Sequence, residues 1–435
     1  MQDYRKQFKN KKITVMGLGL LGGALNDVIF LAENGATLTV TDLKTEKELR
    51  PSLKKLKKYK DIRFVLDRHR LEDFKNADMI LQPGNVPMDS IYLTEARKNK
   101  IPIFVSESLF AKYAPETTII GVTGTRGKSM TTALIYEILH KNIKNRKVYL
   151  AGNMRNTSTL ALLEKVKDKD IVVMELDSWA LHGMGDIRKS PHISIFTSFM
   201  PDHMNYYLPA GRQVAYGMER YFADKANIFK YQKKWDILII RPGVKKLIPK
   251  NIKSRVIVTG GKNFQEENMN CALEVAKLFK IPKMGIEKAL KNFKGLEGRL
   301  QYVKTIKGVK IYNDNNATTP EATMAGIEIL SKRIILICGG SDKNLPLDNF
   351  VKVINKYCKA VIMIPGTGTE KLIDNYELRI TNKKVKDLKE AVKAALGLAS
   401  RGDIILFSPA FASFGQFNNE YERNDLFLKI IKKLK

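Results

Sequence analysis

Cysteine is scarce in this chain: Cys271, Cys338 and Cys358 are the only three in 435 residues, far apart and each in an apolar setting. That spacing argues against a disulfide framework or a cysteine-built zinc cluster and leaves the thiols as core packing. Long apolar runs are missing too. No stretch reaches the roughly 18 to 20 residues needed to cross a bilayer, and Met1-Gln2-Asp3-Tyr4-Arg5 lacks the apolar block of a signal peptide, so a cytoplasmic protein with no membrane partner is expected. Acidic residues are outnumbered, 45 Asp and Glu against 75 Lys and Arg, a formal net charge of +30. Such an excess suits nucleic acid when the cations cluster. Here they fall in short runs such as Lys54-Lys55-Leu56-Lys57-Lys58, interleaved with apolar residues at helical spacing. That is the pattern of solvated helix faces; no nucleic-acid partner is expected, and the charge favours anionic substrates.

What is present is 44% hydrophobic residues in a length suited to two or three domains. The most informative stretch is Gly124-Thr125-Arg126-Gly127-Lys128-Ser129, between the strand-like Thr118-Ile119-Ile120-Gly121-Val122 and the helix-like run from Thr132 to Leu139. Strand, glycine loop, Lys-Ser and helix form a phosphate-binding layout. Glycines let backbone N–H groups converge on phosphate, Lys128 neutralises charge, and the Ser129 hydroxyl suits magnesium. The loop is shorter than the common nucleotide loop, because Val122 stands where the first glycine should be.

Upstream, a strand over residues 11–17 runs into Gly17-Leu18-Gly19-Leu20-Leu21-Gly22, and a second strand ends at Asp42, twenty residues after Gly22. This is the spacing of a dinucleotide fingerprint, with an acid for a ribose; glycines that merely pack helix on strand are the alternative. Pro83-Gly84-Asn85 sits just past another strand, where ligand loops of open sheets lie. Downstream, Gly152-Asn153, Glu175 and Asp202-His203 each follow a β-rich run. Glu175, after four apolar residues, needs a partner such as a metal or a metal-bound water. His203, one of five histidines, is a candidate ligand. From Arg299 strands and helices alternate again, through a hairpin around Lys307-Gly308 and strands near 334, 360 and 404. The expected fold class is α/β with three domains, each with a mostly parallel sheet: Rossmann-like over 1–113, P-loop over 114–297, Rossmann-like over 298–435.

Taken together, the short loop, Gly152-Asn153, Glu175-Leu176-Asp177-Ser178-Trp179, Pro201-Asp202-His203-Met204-Asn205-Tyr206, Ala223-Asp224-Lys225-Ala226-Asn227, Gly295-Leu296-Glu297-Gly298-Arg299, Asn313 to Pro320, Gly339-Gly340-Ser341-Asp342-Lys343 and Ser408 to Phe414 resemble the Mur ligase family. The resemblance covers nearly the whole chain. It implies an ATP-dependent, ADP-forming ligase of peptidoglycan synthesis that adds D-glutamate to UDP-N-acetylmuramoyl-L-alanine through an acyl phosphate, as a monomer. It implies ATP contacts from Gly124, Thr125, Arg126, Gly127, Lys128, Ser129, Asn268, Arg299 and Asp314. Two magnesium ions would be held by Ser129, Glu175, His203 and Lys225, the last as a carbamylated lysine; from the residues alone Lys225 reads as a surface lysine on a helix from Arg212 to Tyr231. The UDP-substrate would meet Leu18, Leu20, Asp42, Gly84 and Asn153, and the amino acid Thr318, Lys343, Ser413 and Phe417.

The sequence departs from that pattern. Arg126 replaces an asparagine, Met130 a hydroxyl residue, Asp177 a serine, Asn316 a lysine of some members, and Phe264-Gln265 a His-Asn pair. Other readings remain open: a ligase for another amino acid, a folylpolyglutamate synthase, a non-catalytic relative that binds UDP-sugar or ATP, and an NAD oxidoreductase. The fingerprint domain argues against folylpolyglutamate synthase, which lacks it.

Overall fold

The computed structural model describes residues 4–434, except 21, 85, 88, 154–156, 208–212, 292, 294, 332, 418 and the side chains of 204 and 205. Leu21 of the first glycine turn, Asn85 of the 83–85 loop and the expected helix start at Arg212 fall outside that set. The chain divides into two compact units, Met1–Phe293 and Lys294–Lys435.

The first unit holds two sheets. One is built from β1 (Lys12–Met16), β2 (Thr37–Asp42), β3 (Ile62–Leu66), β4 (Met79–Leu81) and β5 (Ile103–Phe104) in the order β3-β2-β1-β4-β5, all parallel. The strand order reverses between β1 and β4, so a crevice opens at their C-terminal ends, where the Gly17–Gly22 turn lies. The second comprises β6 (Thr118–Thr123), β7 (Val148–Gly152), β8 (Ile171–Glu175), β9 (Ile193–Phe196), β10 (Ile237–Ile240) and β11 (Arg255–Val258). Its order is β11-β10-β9-β6-β8-β7, again all parallel. β8 and β9 are buried at every residue, as strands covered by helices on both faces must be. One face packs Ile135 and Ile138 of the helix Lys128–Asn142 on Val173, Ile195 and Ile239. The other joins Phe196 and Leu176 to the core beneath the first sheet.

The second unit carries β12 (Gln301–Ile306), β13 (Val309–Asn313), β14 (Ile334–Cys338), β15 (Cys358–Met363), β16 (Thr381–Lys384) and β17 (Ile404–Phe407), in the order β12-β13-β17-β14-β15-β16. Only the β12–β13 hairpin is antiparallel. The α/β class with mostly parallel sheets thus agrees with expectation, and the three cysteines are buried and free. β16 had no apolar signal to find: Thr381–Lys384 is exposed along its whole length and is held by its ladder to β15.

Gly121, inside β6, fixes how closely the second sheet is covered. A Cβ there would sit 2.4 Å from Pro191 Cγ and 2.9 Å from Leu176 Cδ1. Because a proline ring yields little, Gly121→Val should destabilise the unit by ~1–3 kcal/mol. A lower urea midpoint at unchanged slope is the expected result; an unmoved midpoint refutes this packing argument.

Candidate active site

β6 is central in its sheet, and its C-terminal tip turns directly into the short glycine loop. Gly124 has φ +147°, and a Cβ there would lie 2.1 Å from Thr197 Oγ1 and 2.8 Å from the Ser198 amide, so no side chain fits. The segment after β9 cradles the loop: Thr125 N donates to Ser198 O at 2.8 Å, Arg126 N donates to Ser198 Oγ at 2.8 Å, and Thr125 Oγ1 donates to Met200 O at 3.1 Å. Gly127, at φ +90°, precedes the helix Lys128–Asn142, whose first-turn N–H groups and dipole face the loop. Lys128 Nζ folds back onto the carbonyls of Gly124 (2.9 Å) and Thr125 (3.3 Å).

Lys225 is no surface residue. It is 1% exposed on the helix Val214–Ala226, and its Nζ donates to Gly124 O at 3.2 Å and Thr123 Oγ1 at 3.3 Å, 4.9 Å from the Tyr221 ring centre. Burial, and then the nearby Lys128 ammonium, push its pKa well below the ordinary lysine range. Helical periodicity shows that a lysine lies on one face of a helix; it does not show that the face runs under a phosphate loop.

Glu175 ends β8, beside Val122 of β6 in the ladder. It is 5% exposed, and no described residue hydrogen-bonds or ion-pairs with its carboxylate. Gly152, with φ +91°, lets β7 pass where a Cβ would lie 2.0 Å from Glu175 O, and Asn153 N donates to that carbonyl at 3.0 Å. His203, at φ 55°, follows β9 and stacks edge-on to Trp179 at 4.8 Å. Burial lowers its pKa, with Lys225 and Lys128 adding to the effect against the pull of Asp202. An imidazole whose charged form is disfavoured and a buried carboxylate are donor types suited to a divalent cation. Among the described residues no three His, Cys, Asp or Glu side chains converge on a metal position, so a full set needs Ser129 and Lys225 as well.

Other expected contacts of the first unit lie at the C-terminal ends of strands in the first sheet. Leu18 is buried, and Leu20 is exposed. Gly17 packs on Pro83, and Gly84 on Trp179. Asp42 works from beneath: Oδ2 accepts from Leu18 N (2.9 Å) and Gly19 N (3.0 Å) of the glycine turn, and Oδ1 accepts from Lys44 N (2.8 Å) just past its own strand. On the other flank, Asn268 accepts from Thr131 Oγ1 at 3.0 Å and from Arg241. Arg241 follows β10, is 3% exposed, pairs with Glu267 at 3.0 Å and lies 4.7 Å under the Phe264 ring. Sequence reading missed it; its only signal is position, at the tip of a strand itself unassigned.

In the second unit the tips of β13, β17 and β14 are adjacent. Lys343 Nζ donates to Thr318 Oγ1 at 2.9 Å. The Ser341–Ala412 bridge sets Ser413 beside the Lys343 loop, and Phe417 N donates to Ser413 O at 3.2 Å. Asp314 accepts from Leu300 N (2.9 Å) and Ser408 Oγ (2.8 Å), and burial pushes it up to about 6. Arg299, one residue before Leu300, enters β12 through the Leu296–Arg299 turn. Thr318 and Lys343 are thus joined directly, Ser413 follows Ala412, the residue bridged to Ser341, and Phe417 is tied to Ser413 through its backbone while packing against the core.

A family model described as the Mur ligase middle domain matches residues 122–291, and one described as the Mur ligase, glutamate ligase domain, matches residues 298–411. A UDP-N-acetylmuramoylalanine–D-glutamate ligase of Borreliella afzelii is 35% identical over 98% of this chain and 99% of its own length. Its counterpart from Roseiflexus sp. is 33% identical over the same shares. Among solved structures, the UDP-N-acetylmuramate-alanine ligase MurC of Thermotoga maritima aligns with a TM-score of 0.62 at 16% identity, covering 98% of this chain and 100% of its own. The MurF ligase of that organism in complex with ADP aligns with a TM-score of 0.59 at 15% identity, covering 100% and 99%. At such identities these two speak to the fold alone.

Several departures from the family pattern have local physical reasons. Arg126 ion-pairs with Asp202 at 2.9 Å across the loop. Met130 packs into the apolar layer behind it. Asn316 Oδ1 accepts from Asn315 Nδ2 at 3.1 Å. Asp177 is the N-cap of the helix Ser178–Asp186, its Oδ1 accepting from Ala180 N at 2.8 Å. Serine caps equally well, so Asp177→Ser should leave stability within ~0.5 kcal/mol, whereas Asp177→Ala should lose about 1 kcal/mol. Equal denaturation midpoints for the two variants would remove the capping role.

Proposed function

The chain belongs to the Mur ligase family, and from that premise we propose that it joins D-glutamate to UDP-N-acetylmuramoyl-L-alanine, converting ATP to ADP and phosphate, as a cytoplasmic monomer of peptidoglycan precursor synthesis. The observation that carries the reading is the arrangement of a phosphate loop, the buried Glu175, His203 and the buried Lys225 at the ends of neighbouring strands or on the helix beneath the loop, Lys225 donating to Gly124 O. The choice of D-glutamate rests on the activity named for the relatives from Borreliella afzelii and Roseiflexus.

The chemistry joins two anions, a substrate carboxylate and the γ-phosphate of ATP, so positive charge has to be in place beforehand. Lys128 would leave the carbonyls of its own loop for the phosphate oxygens, and the loop N–H groups would hold the β-phosphate. The carboxylate oxygen attacks phosphorus, ADP departs, and an acyl phosphate results. The D-glutamate amine then attacks the acyl carbon, loses a proton, and phosphate leaves as the amide forms. Ser129, Glu175, His203 and Lys225 would hold magnesium, which would supply charge neutralisation for the phosphates. For Lys225 the fit depends on its uncharged amine: the nitrogen lone pair adds to CO2, a proton is released, and the carbamate presents oxygens in place of an ammonium. Lys343, Thr318, Ser413 and Phe417 would orient the amino acid, while Leu18, Leu20, Asp42, Gly84 and Asn153 would form the UDP-substrate end.

A catalytically impaired member is the alternative that Asp177, Asn316 and Arg126 raise. Each of these has a local structural partner, which weakens the case for it.

Phosphate release should require ATP, UDP-N-acetylmuramoyl-L-alanine and D-glutamate together in a coupled assay run against an amino-acid panel. Full turnover with L-alanine or a diamino acid and none with D-glutamate would sink the assignment. Lys128→Ala and Lys225→Ala should each lower kcat by about 100-fold or more, the scale of losing a principal charge-stabilising group.

A further inference from the structure

The proposed ligands Glu175, His203 and Lys225 lie on separate segments, and one buried carboxylate touches all three segments. Asp224, next to Lys225 on the helix Val214–Ala226, is 7% exposed. Its Oδ2 accepts from Tyr207 Oη at 2.8 Å, and its Oδ1 lies 2.8 Å from His182 Nδ1. Tyr207, fully buried, ends the short helix Met204–Tyr207 that follows His203, and its own N donates to His203 O at 3.1 Å. His182 belongs to the helix Ser178–Asp186, which starts three residues after Glu175. Residues 224 and 225 point about 100° apart around their helix, so Asp224 can grip its neighbours while Lys225 reaches under the loop.

We propose that Asp224 is a positioning residue for the metal site: through Tyr207 and His182 it fixes the spacing of His203, Glu175 and Lys225. The inference rests on the metal-ligand reading given under the proposed function. A slide or rotation of the lysine helix breaks both hydrogen bonds of Asp224, and each lost partner leaves the buried carboxylate less satisfied. The rings between these segments transmit the same constraint: Tyr207 packs on Tyr221 at 5.1 Å, Tyr221 on His203 at 6.0 Å, and Tyr221 Oη reaches Thr125 Oγ1 of the phosphate loop at 3.4 Å. Misplacement of a reacting group by about 1 Å can reduce rate by about 100-fold, so a clamp of this kind is functionally significant although it touches no substrate.

The test is calorimetric titration of Mn2+ into the full chain with ADP, for wild type, Tyr207→Phe, Asp224→Asn, Glu175→Gln and Lys225→Ala, alongside thermal unfolding and the Mg2+ dependence of turnover. Tyr207→Phe and Asp224→Asn should weaken Mn2+ binding by about tenfold or more, the usual size of an outer-ligand effect, and raise the half-saturating Mg2+ concentration to match. The KM for the UDP-substrate should stay within about twofold, well short of that tenfold effect. Unchanged Mn2+ affinity in both variants, with Glu175→Gln and Lys225→Ala abolishing it, overturns the positioning role alone. Unchanged affinity in all four variants overturns the metal site and this inference together. Weakening that appears only in a variant whose unfolded fraction accounts for it also overturns the inference.

Discussion

The carbonyl of Gly124 accepts hydrogen bonds from two lysines, Lys128 from the phosphate loop and Lys225 from below it, and the rest of the site follows from that meeting. Two ammonium groups on one carbonyl repel each other, and burial followed by the nearby Lys128 pushes the pKa of Lys225 well below the ordinary lysine range. Lys128 is half-buried, whereas Lys225 is 1% exposed. Only glycine can occupy position 124, since Thr197 and Ser198 fill the space of a Cβ, and that crowding lets the β9 segment support the short loop from behind. The missing first glycine of a longer loop is thereby accounted for: neighbouring strand tips supply the support that extra loop residues would otherwise give.

The architecture places this pair without specialised parts. In the second sheet β7, β8, β6, β9 and β10 are neighbours, and their tips deliver Asn153, Glu175, the loop, the segment leading to His203, and Arg241 in spatial order. Parallel strands put all C-terminal ends on one side, so residues distant in sequence arrive together. The same rule gathers Lys343, Thr318 and Ser413 at the tips of β14, β13 and β17 in the second unit. The backbone at these tips is set by glycines at positive φ and by Asp42 under the first glycine turn.

Much of this was legible in the sequence. Buried parallel strands read as apolar runs, and glycine turns leave letters at fixed spacing, so β1, β2, β6, β8 and the loops after them could be placed from residues alone. Glu175 stood out because four apolar neighbours promised it no water. Other features left no such trace. Asp42 reads as a ribose ligand by spacing, yet both of its oxygens hold backbone amides. Arg241 under Phe264, and Asp224 between Tyr207 and His182, pair residues from separate segments, and each alone looks like an ordinary polar residue. Lys225 is the sharpest case: its letter and helical setting point to solvent, and only packing reverses that reading.

The central proposal is that Lys225, whose burial disfavours the ammonium, is carbamylated and carries a carboxylate into the proposed metal site. The most direct measurement is 13C NMR of the full chain equilibrated with 13C-bicarbonate. The account predicts a protein-borne carbamate resonance that is present in wild type and absent in Lys225→Ala. An active wild-type enzyme with no such resonance, or one that persists in Lys225→Ala, would contradict it.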